Sequence, residues 1–458
     1  MTIAETSRAS GDQQDRFPLS ANLELFCIFD QGDEVGAFGP HDLVIIGWRV
    51  RGEIDVEALR GALDDVVVRN EILRTEIIRT EGDRHQRVLP TAPPAKVDVI
   101  DLSSDDTRSR DERADEFINQ VEFFELHITD MPHVKAVVGR FDEQDSVVVL
   151  LTHHTASDGW SMQVLMREIA TFYAERTGGG RTELPEPVQY NEFSEWQLNW
   201  LASEEADRSR AYWREKLAGA AASTIPMDEP EGVPYGYAVH RFLWPTELAD
   251  ATKQVARSLR ASPFMVLTAT FNALMYKMTG QTDLVTGTFI AGRDEPRYAD
   301  VVGPFFNMIP LRTDLTDCRT FSELVNRTRA TCLDSYAHAL PYGVISMEAP
   351  ELNAPFAAGG VAVCAFQVFQ FPNAMEDTTI GGLTYTEFRK RSLSWDQTSE
   401  LPNGLVFTLD LLPSGEIAGH IRYNKAEFLP SSIEKLAEDY LAILTRATGK
   451  PTIALKQL

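Results

Sequence analysis

Val147-Val148-Val149-Leu150-Leu151-Thr152-His153-His154-Thr155-Ala156-Ser157-Asp158-Gly159 decides the fold of this chain. Five consecutive apolar residues, three of them valine, read as a strand buried on both faces. Two histidines at its end project to opposite sides, so only one of them faces a substrate. Met162, Leu165, Ile169, Phe172 and Tyr173 then recur at three and four, the buried stripe of a helix running to about Arg176. Gly178-Gly179-Gly180 stops it. A buried strand that delivers a histidine to a helix start is a rigid platform for a general base, because imidazole takes a proton near neutral pH. The blander alternative is a packed histidine beside a capping aspartate. Against it, His-His-x-x-x-Asp-Gly arises by chance in a chain this long roughly once in a thousand sequences or less.

The chain has 458 residues, long enough for two cores of about 200 residues each. Forty-three basic against 68 acidic residues leave a net charge of -25, which argues against nonspecific binding to nucleic acid or to an anionic membrane. Cys27, Cys318, Cys332 and Cys364 follow neither zinc nor disulfide-scaffold spacing, so a reduced compartment is expected. Residues 1–16 are polar without aromatics and are expected to be disordered. They hold no apolar signal-peptide core, and no stretch approaches 18 apolar residues, so a soluble, cytoplasmic protein is expected.

Along the chain, Ser20 is placed to cap a short helix through Phe26, Leu43 to Val50 reads as a strand, and Asp55 caps a helix with Val56, Leu59, Leu63, Val66 and Val67 on one face. That helix runs into Arg69-Asn70-Glu71-Ile72-Leu73-Arg74-Thr75, where Glu71 and Arg74 form at most an exposed pair three apart. The stretch Asp101 to Glu116, acidic but interrupted by arginines, reads as a solvated helix face. Val134 to Phe141 and Val147 to Leu151 make a hairpin. Tyr190-Asn191-Glu192-Phe193-Ser194-Glu195-Trp196 opens a helix, and the aperiodic stretch from Gly219 to Tyr235 reads as a bridge between lobes. Beyond it come helices starting at Thr246 and Ser262, a strand from Asp283 to Phe289, and Ala291-Gly292-Arg293-Asp294. Then follow Gly303-Pro304-Phe305-Phe306-Asn307-Met308-Ile309-Pro310-Leu311-Arg312, strands at Leu383 to Phe388, Leu405 to Leu411 and Ile417 to Tyr423, and a closing helix from Ser431 to Arg446.

Taken together these motifs resemble the condensation domains of nonribosomal peptide synthetases. The central stretch is similar to that family's His-His-x-x-x-Asp-Gly signature, Arg69 to Thr75 to its Arg-His-Glu-x-Leu-Arg-Thr, Tyr190 to Trp196 to its Tyr-x-Asp-Phe-x-x-Trp, and Gly303 to Arg312 to its Gly-x-Phe-x-Asn-x-x-Pro-Leu-Arg. Asn70 replaces the usual histidine and Glu192 the usual aspartate. The sixth motif, at His338-Ala339-Leu340-Pro341, lacks its Gln and Asp, and the seventh is not recognisable.

The resemblance implies an α/β fold of two chloramphenicol-acetyltransferase-like lobes in a V-shaped pseudo-dimer with a central tunnel. The division it implies is residues 17–190 and 191–458, the second lobe carrying a floor loop at 291–312. It implies a carrier-protein-dependent acyltransferase that moves an acyl or aminoacyl group from a phosphopantetheine thioester on a donor carrier, with no cofactor or metal of its own. His154 is then the base or positioning group for the nucleophile, and Gly159 with its neighbouring amide lies near the developing oxyanion. His153 becomes a structural support. Asp158 and Arg293 form a salt bridge that keeps the carboxylate ionised and out of proton transfer. Trp160, Ser161, Asn307 and Arg74 are further supporting residues. The chain has no room for adenylation or carrier modules, so a free-standing enzyme is expected, similar to those that join carrier-bound acyl groups to free alcohols or amines in antibiotic and enediyne pathways. Ester formation with a free small-molecule alcohol is the leading expectation. Amide formation, epimerisation of a carrier-bound residue and a non-catalytic carrier-docking role remain as alternatives, and heterocyclisation is set aside because it calls for aspartate at position 153.

Overall fold

The computed structural model describes residues 16–104, 106–180, 184–370, 374–397 and 404–458. The N-terminal segment expected to be disordered lies, except for Arg16, outside the described residues. Two compact units make up the chain. The first is Met1–Ser203 with Ala291–Phe306 and Phe371–Phe388; the second is Glu204–Ile290 with Asn307–Gln370 and Arg389–Leu458. Residues 291–306, which the resemblance gives to a second lobe, thus group with the first unit, while Asn307 begins a strand of the second.

In the first unit Ser20 accepts from the Leu23 amide and caps α1 (Ala21–Ile28), which feeds a loop into β1 (Leu43–Arg51). Asp55 caps α2 (Val56–Arg69) by accepting from the Glu57 and Ala58 amides. Further along come β2 (Lys96–Asp101), α3 (Arg110–Val121), β3 (Val134–Asp142), β4 (Asp145–His153), α4 (Gly159–Arg176) and α5 (Tyr190–Leu201). One sheet orders these strands as Thr378–Ile380, Leu383–Glu387, β1, β4, β3, β2, antiparallel except between β2 and β3. Every residue of β4 is buried, as a central strand covered on both faces must be. Leu150, Leu165, Val66 and Trp48 belong to the core on one side, and Val149, Leu151, Phe117 and Ile118 to that on the other. Each such aliphatic contributes about 1.5–3 kcal/mol on burial. A smaller sheet pairs Arg16–Phe17, His85–Val88 and Thr75–Ile78.

The acidic stretch is largely solvent-facing, as read from the sequence: Asp106 to Glu112 are exposed. Ser109 and Glu112 form a capping box, and the helix that starts here, α3, carries on past Glu116 to bury Phe117, Ile118 and Val121, with Ala114, against the sheet. Its first residue, Arg110, joins Arg49 on the buried carboxylate of Asp145 where β4 begins.

The second unit repeats the plan. Its sheet runs Asn307–Asp314, Asp283–Ile290, Val361–Phe369, Leu405–Leu411, Ile417–Asn424, Tyr237–Trp244, Trp395–Gln397. The helices Thr246–Ser258, Pro263–Thr279, Phe321–Ala337 and Pro430–Gly449 supply residues to its core, with Phe271, Phe366, Phe407 and Tyr440 in mutual ring contact. Ser262 caps the second of these helices with Pro263 at its first position.

Candidate functional site

The last residue of β4 is His153, wholly buried. Its Nε2 lies 3.2 Å from the Gly39 carbonyl and its Nδ1 2.8 Å from Thr155 Oγ1. A carbonyl only accepts, so Nε2 carries the proton and Nδ1 receives the Thr155 hydroxyl. Burial first, then the neighbouring imidazole of His133 at 6.1 Å, pushes His153 down to about 3, and burial pushes His133 down to about 4. Both rings are neutral supports at physiological pH.

His154 follows the strand and is only partly buried. Its backbone amide donates to the Asp42 carbonyl at 2.8 Å, which ties it to the start of β1. Its Nδ1 lies 3.0 Å from the Ser157 carbonyl. By the same argument Nδ1 holds the proton, and the Nε2 lone pair is left free to accept one. Phe306 packs on the ring at 4.5 Å and Phe26 of α1 meets it edge-on at 6.0 Å, and the two phenyl rings also touch each other at 5.9 Å, so the imidazole is one corner of a three-ring cluster.

Asp158 caps α4, accepting from the Ser161 amide at 2.7 Å. The same carboxylate receives Arg293 Nη1 at 2.7 Å, Nη2 at 3.1 Å and the Phe305 amide at 3.1 Å. The two side chains are 5% and 2% exposed, so this is a desolvated, bidentate pair. Arg293 also donates to Ser161 Oγ and the Val301 carbonyl, and lies 4.2 Å over the Phe305 ring. Ser161 Oγ donates to the Gly303 carbonyl and accepts from its amide, while Trp160 Nε1 donates to the Ala299 carbonyl. The start of α4 therefore holds residues 291–306 by a continuous hydrogen-bonded network. Gly159 and Trp160 open the helix, where the first amides have no intrahelical acceptor.

Two glycines make this approach feasible. Gly292 sits at φ +64°, and a Cβ there would come within 2.0 Å of the Phe305 carbonyl oxygen. A Cβ on Gly303 would come within 2.1 Å of the Tyr190 ring. Tyr190 in turn donates to the Pro304 carbonyl and pairs with Ser20, and Asn22 donates to the Pro304 and Phe306 carbonyls.

The remaining two sequence candidates sit elsewhere. Arg74 donates to the Leu89 and Val68 carbonyls and lies 3.6 Å from Glu71, largely buried at 13% exposure, so it braces the backbone rather than forming an exposed surface pair. The same junction reaches the histidines: the His133 amide donates to the Leu73 carbonyl, and His133 Nε2 to the Thr75 carbonyl. Asn307 pins Leu340 and Tyr342 within the second unit. Sequence reasoning missed His133, the Phe305 amide, Asn22 and the two aromatics around His154. Only Ser20 carried a local signal, as a helix cap.

No cluster of three or more His, Cys, Asp or Glu able to hold a metal ion occurs among the described residues. Burial pushes the thiols of Cys27 and Cys332 up to about 11 and 12, and raises Cys318 and Cys364 as well, so none of the four is an activated nucleophile.

The family profile described as Condensation domain matches residues 45–458. A linear gramicidin synthase polypeptide of Brevibacillus parabrevis is 30% identical over 415 residues, 88% of this chain and 5% of its own length. A surfactin synthase polypeptide of Bacillus subtilis is 25% identical over 471 residues, which cover this whole chain and 12% of that protein. The chain thus spans a small part of these relatives. Among solved structures, the SgcC5 protein of Streptomyces globisporus, crystallised with (R)-(-)-1-(2-naphthyl)-1,2-ethanediol and sucrose, superposes with a TM-score of 0.90 at 39% identity, covering 95% of this chain and 100% of that one. The X-domain from teicoplanin biosynthesis, at 22% identity and a TM-score of 0.77, shares the fold. The chain belongs to the condensation-domain family. Membership in that family, on the mixed α/β architecture described above, supports carrier-protein-dependent acyl transfer.

Proposed function

We propose that this protein transfers an acyl or aminoacyl group from the phosphopantetheine thioester of a donor carrier protein to a free small-molecule alcohol, forming an ester in an antibiotic pathway of the enediyne kind. The observation that carries the alcohol is the diol held in the SgcC5 crystal, whose chain is 39% identical over nearly the whole of this one. The orientation of His154 supports the chemistry. Its Nε2 lone pair accepts the hydroxyl proton as the oxygen attacks the thioester carbonyl, while the Nδ1–H keeps donating to the Ser157 carbonyl. A hydroxyl, unlike a neutral amine, needs that proton removed before it is a good nucleophile.

The C–O bond forms and the carbonyl oxygen becomes an oxyanion, which the amides of Gly159 and Trp160 stabilise at the positive end of α4. The C–S bond then breaks, and the departing thiolate takes the proton from His154. Asp158, engaged by Arg293 and two amides, serves architecture, with Trp160 and Ser161 anchoring residues 291–306 beside it. The thioester supplies the activation, so the protein's contribution is alignment, proton removal and exclusion of water.

The test mixes an acyl-loaded carrier with matched free alcohol, free amine and carrier-bound acceptors and follows products by mass spectrometry. Ester from the free alcohol is expected. Product from the carrier-bound acceptor alone overturns the free acceptor, and product from the amine alone overturns the ester.

A further inference from the structure

Between α1 and β1 the chain makes a loop, residues 29–42, that leaves from beside the histidine pair and returns to it. Three residues before the loop, Phe26 of α1 meets the His154 ring edge-on. At its end, the Gly39 carbonyl receives His153 Nε2 and the Asp42 carbonyl receives the His154 amide. The loop has little regular structure of its own beyond a bridge between Asp30 and Gly36 and the turn from Gly36 to Gly39. Its tip is held by a side chain from outside, Arg79, which follows the strand Thr75–Ile78. Arg79 Nη1 donates to Asp30 at 2.8 Å, Nη2 donates to Asp33, and the guanidinium lies 4.2 Å over the face of Phe38. Phe38 is wholly buried and immediately precedes Gly39. The same strand reaches His153 a second way, since the Thr75 carbonyl holds His133.

We propose that Arg79 is a positioning residue for the histidine pair: by gripping Asp30, Asp33 and the Phe38 face, it sets the Gly39 and Asp42 carbonyls from which His153 and His154 hang. Arg79 touches neither histidine. A planar guanidinium that makes two carboxylate contacts and one ring contact fixes the loop in position and angle, which a lysine's single ammonium does less well. Without that grip the loop is a long irregular excursion whose carbonyls drift, and small misplacements of a proton acceptor are costly to catalysis. The grip lies at an open surface depression lined in part by Asp30, Asp33, Ile77 and Arg79, and none of the replacements used below is larger than the residue it replaces.

The inference rests on His154 serving as the proton acceptor, and its test separates the two. Arg79→Met, Arg79→Lys and the double variant Asp30→Asn/Asp33→Asn are compared, the last keeping the interaction testable should Arg79→Met not fold. Turnover is measured with an acyl-loaded carrier and (R)-1-(2-naphthyl)-1,2-ethanediol, alone and in the His154→Ala background, and the ring signals of 15N-labelled histidine are recorded. Arg79→Met is expected to lower kcat roughly tenfold with little change in KM, Arg79→Lys to restore part of it, and the His153 Nε2 proton to exchange faster with solvent. In the His154→Ala background the substitution is expected to cost nothing more. A parental kcat, an equal loss in that background, or unchanged His153 signals would overturn the proposal. The histidine signals do not depend on the chemistry, so they decide it even if His154→Ala proves active and the catalytic reading falls.

Discussion

At the scale of single residues, the two adjacent histidines are separated in role by what their nitrogens meet. His153 is wholly buried, with a carbonyl on Nε2 and a hydroxyl on Nδ1, while His154 spends Nδ1 on Ser157 and keeps Nε2. His154→Ala is therefore expected to lower acyl transfer by roughly 10²-fold while the thermal midpoint stays near the parent's, checked by turnover with loaded carrier beside a melting curve. The buried pair of His153 and His133 predicts a pH dependence of stability. Burial depresses both pKa values, to about 3 and about 4, against roughly 6.5 in the unfolded chain. Above 6.5 neither state binds the extra protons and the contribution is complete. As pH falls below that, the unfolded state takes up two protons that the folded state refuses, so stability drops through the window from about 6.5 to about 3, most steeply near pH 5, where the slope approaches that of two protons, about 3 kcal/mol per pH unit. Urea midpoints between pH 7 and 5 measure it, and His133→Gln is expected to remove about half of the slope.

At the scale of elements, the connection that matters runs between the start of α4 and residues 291–306. Asp158 and Arg293 are both almost fully buried, so either alanine leaves an uncompensated charge and is expected to cost about 3 kcal/mol. Removing both costs less than the sum, and a thermodynamic cycle from urea unfolding reads the difference; additivity would mean that the pair does not couple. Gly292 tests the backbone side of the same connection. Its left-handed φ and the 2.0 Å approach to the Phe305 carbonyl leave alanine no room, and the displaced residue is the one whose amide binds Asp158. Gly292→Ala is expected to destabilise by roughly 2 kcal/mol or more and to lower turnover with it. Unchanged melting and activity would show that the segment adapts freely.

At the scale of the whole molecule, a net charge of -25 would repel an acidic carrier on average, so the proposed docking would have to use local basic or apolar contacts. kcat/KM for the loaded carrier is thus expected to change by less than about threefold between low and moderate salt, and a steep fall with salt would point instead to long-range attraction. Much of the molecule was legible from order along the chain. The strand to His153, the helix stripe after Gly159, the caps at Ser20, Asp55 and Ser262, and the hairpin before the histidines all follow from periodicity and capping, which are local rules acting over a few residues. The partnership of Asp158 with Arg293 did not follow from any such rule; read by itself, Arg293 is a surface arginine, and only likeness to a family named its partner. The acidic run before α3 is legible as a solvated face from its charges, whereas the apolar residues that follow it, Phe117, Ile118 and Val121, dock on a sheet that only the tertiary structure supplies. What the sequence by itself determined was therefore the set of elements and the identity of the reactive stretch. Tertiary structure alone decided which tautomer each histidine holds, that His133 stands behind His153, and that Arg79 grips the loop beneath them. Those outcomes depend on carbonyls and rings brought together from distant parts of the chain, and no local periodicity encodes which carbonyl a given nitrogen will meet.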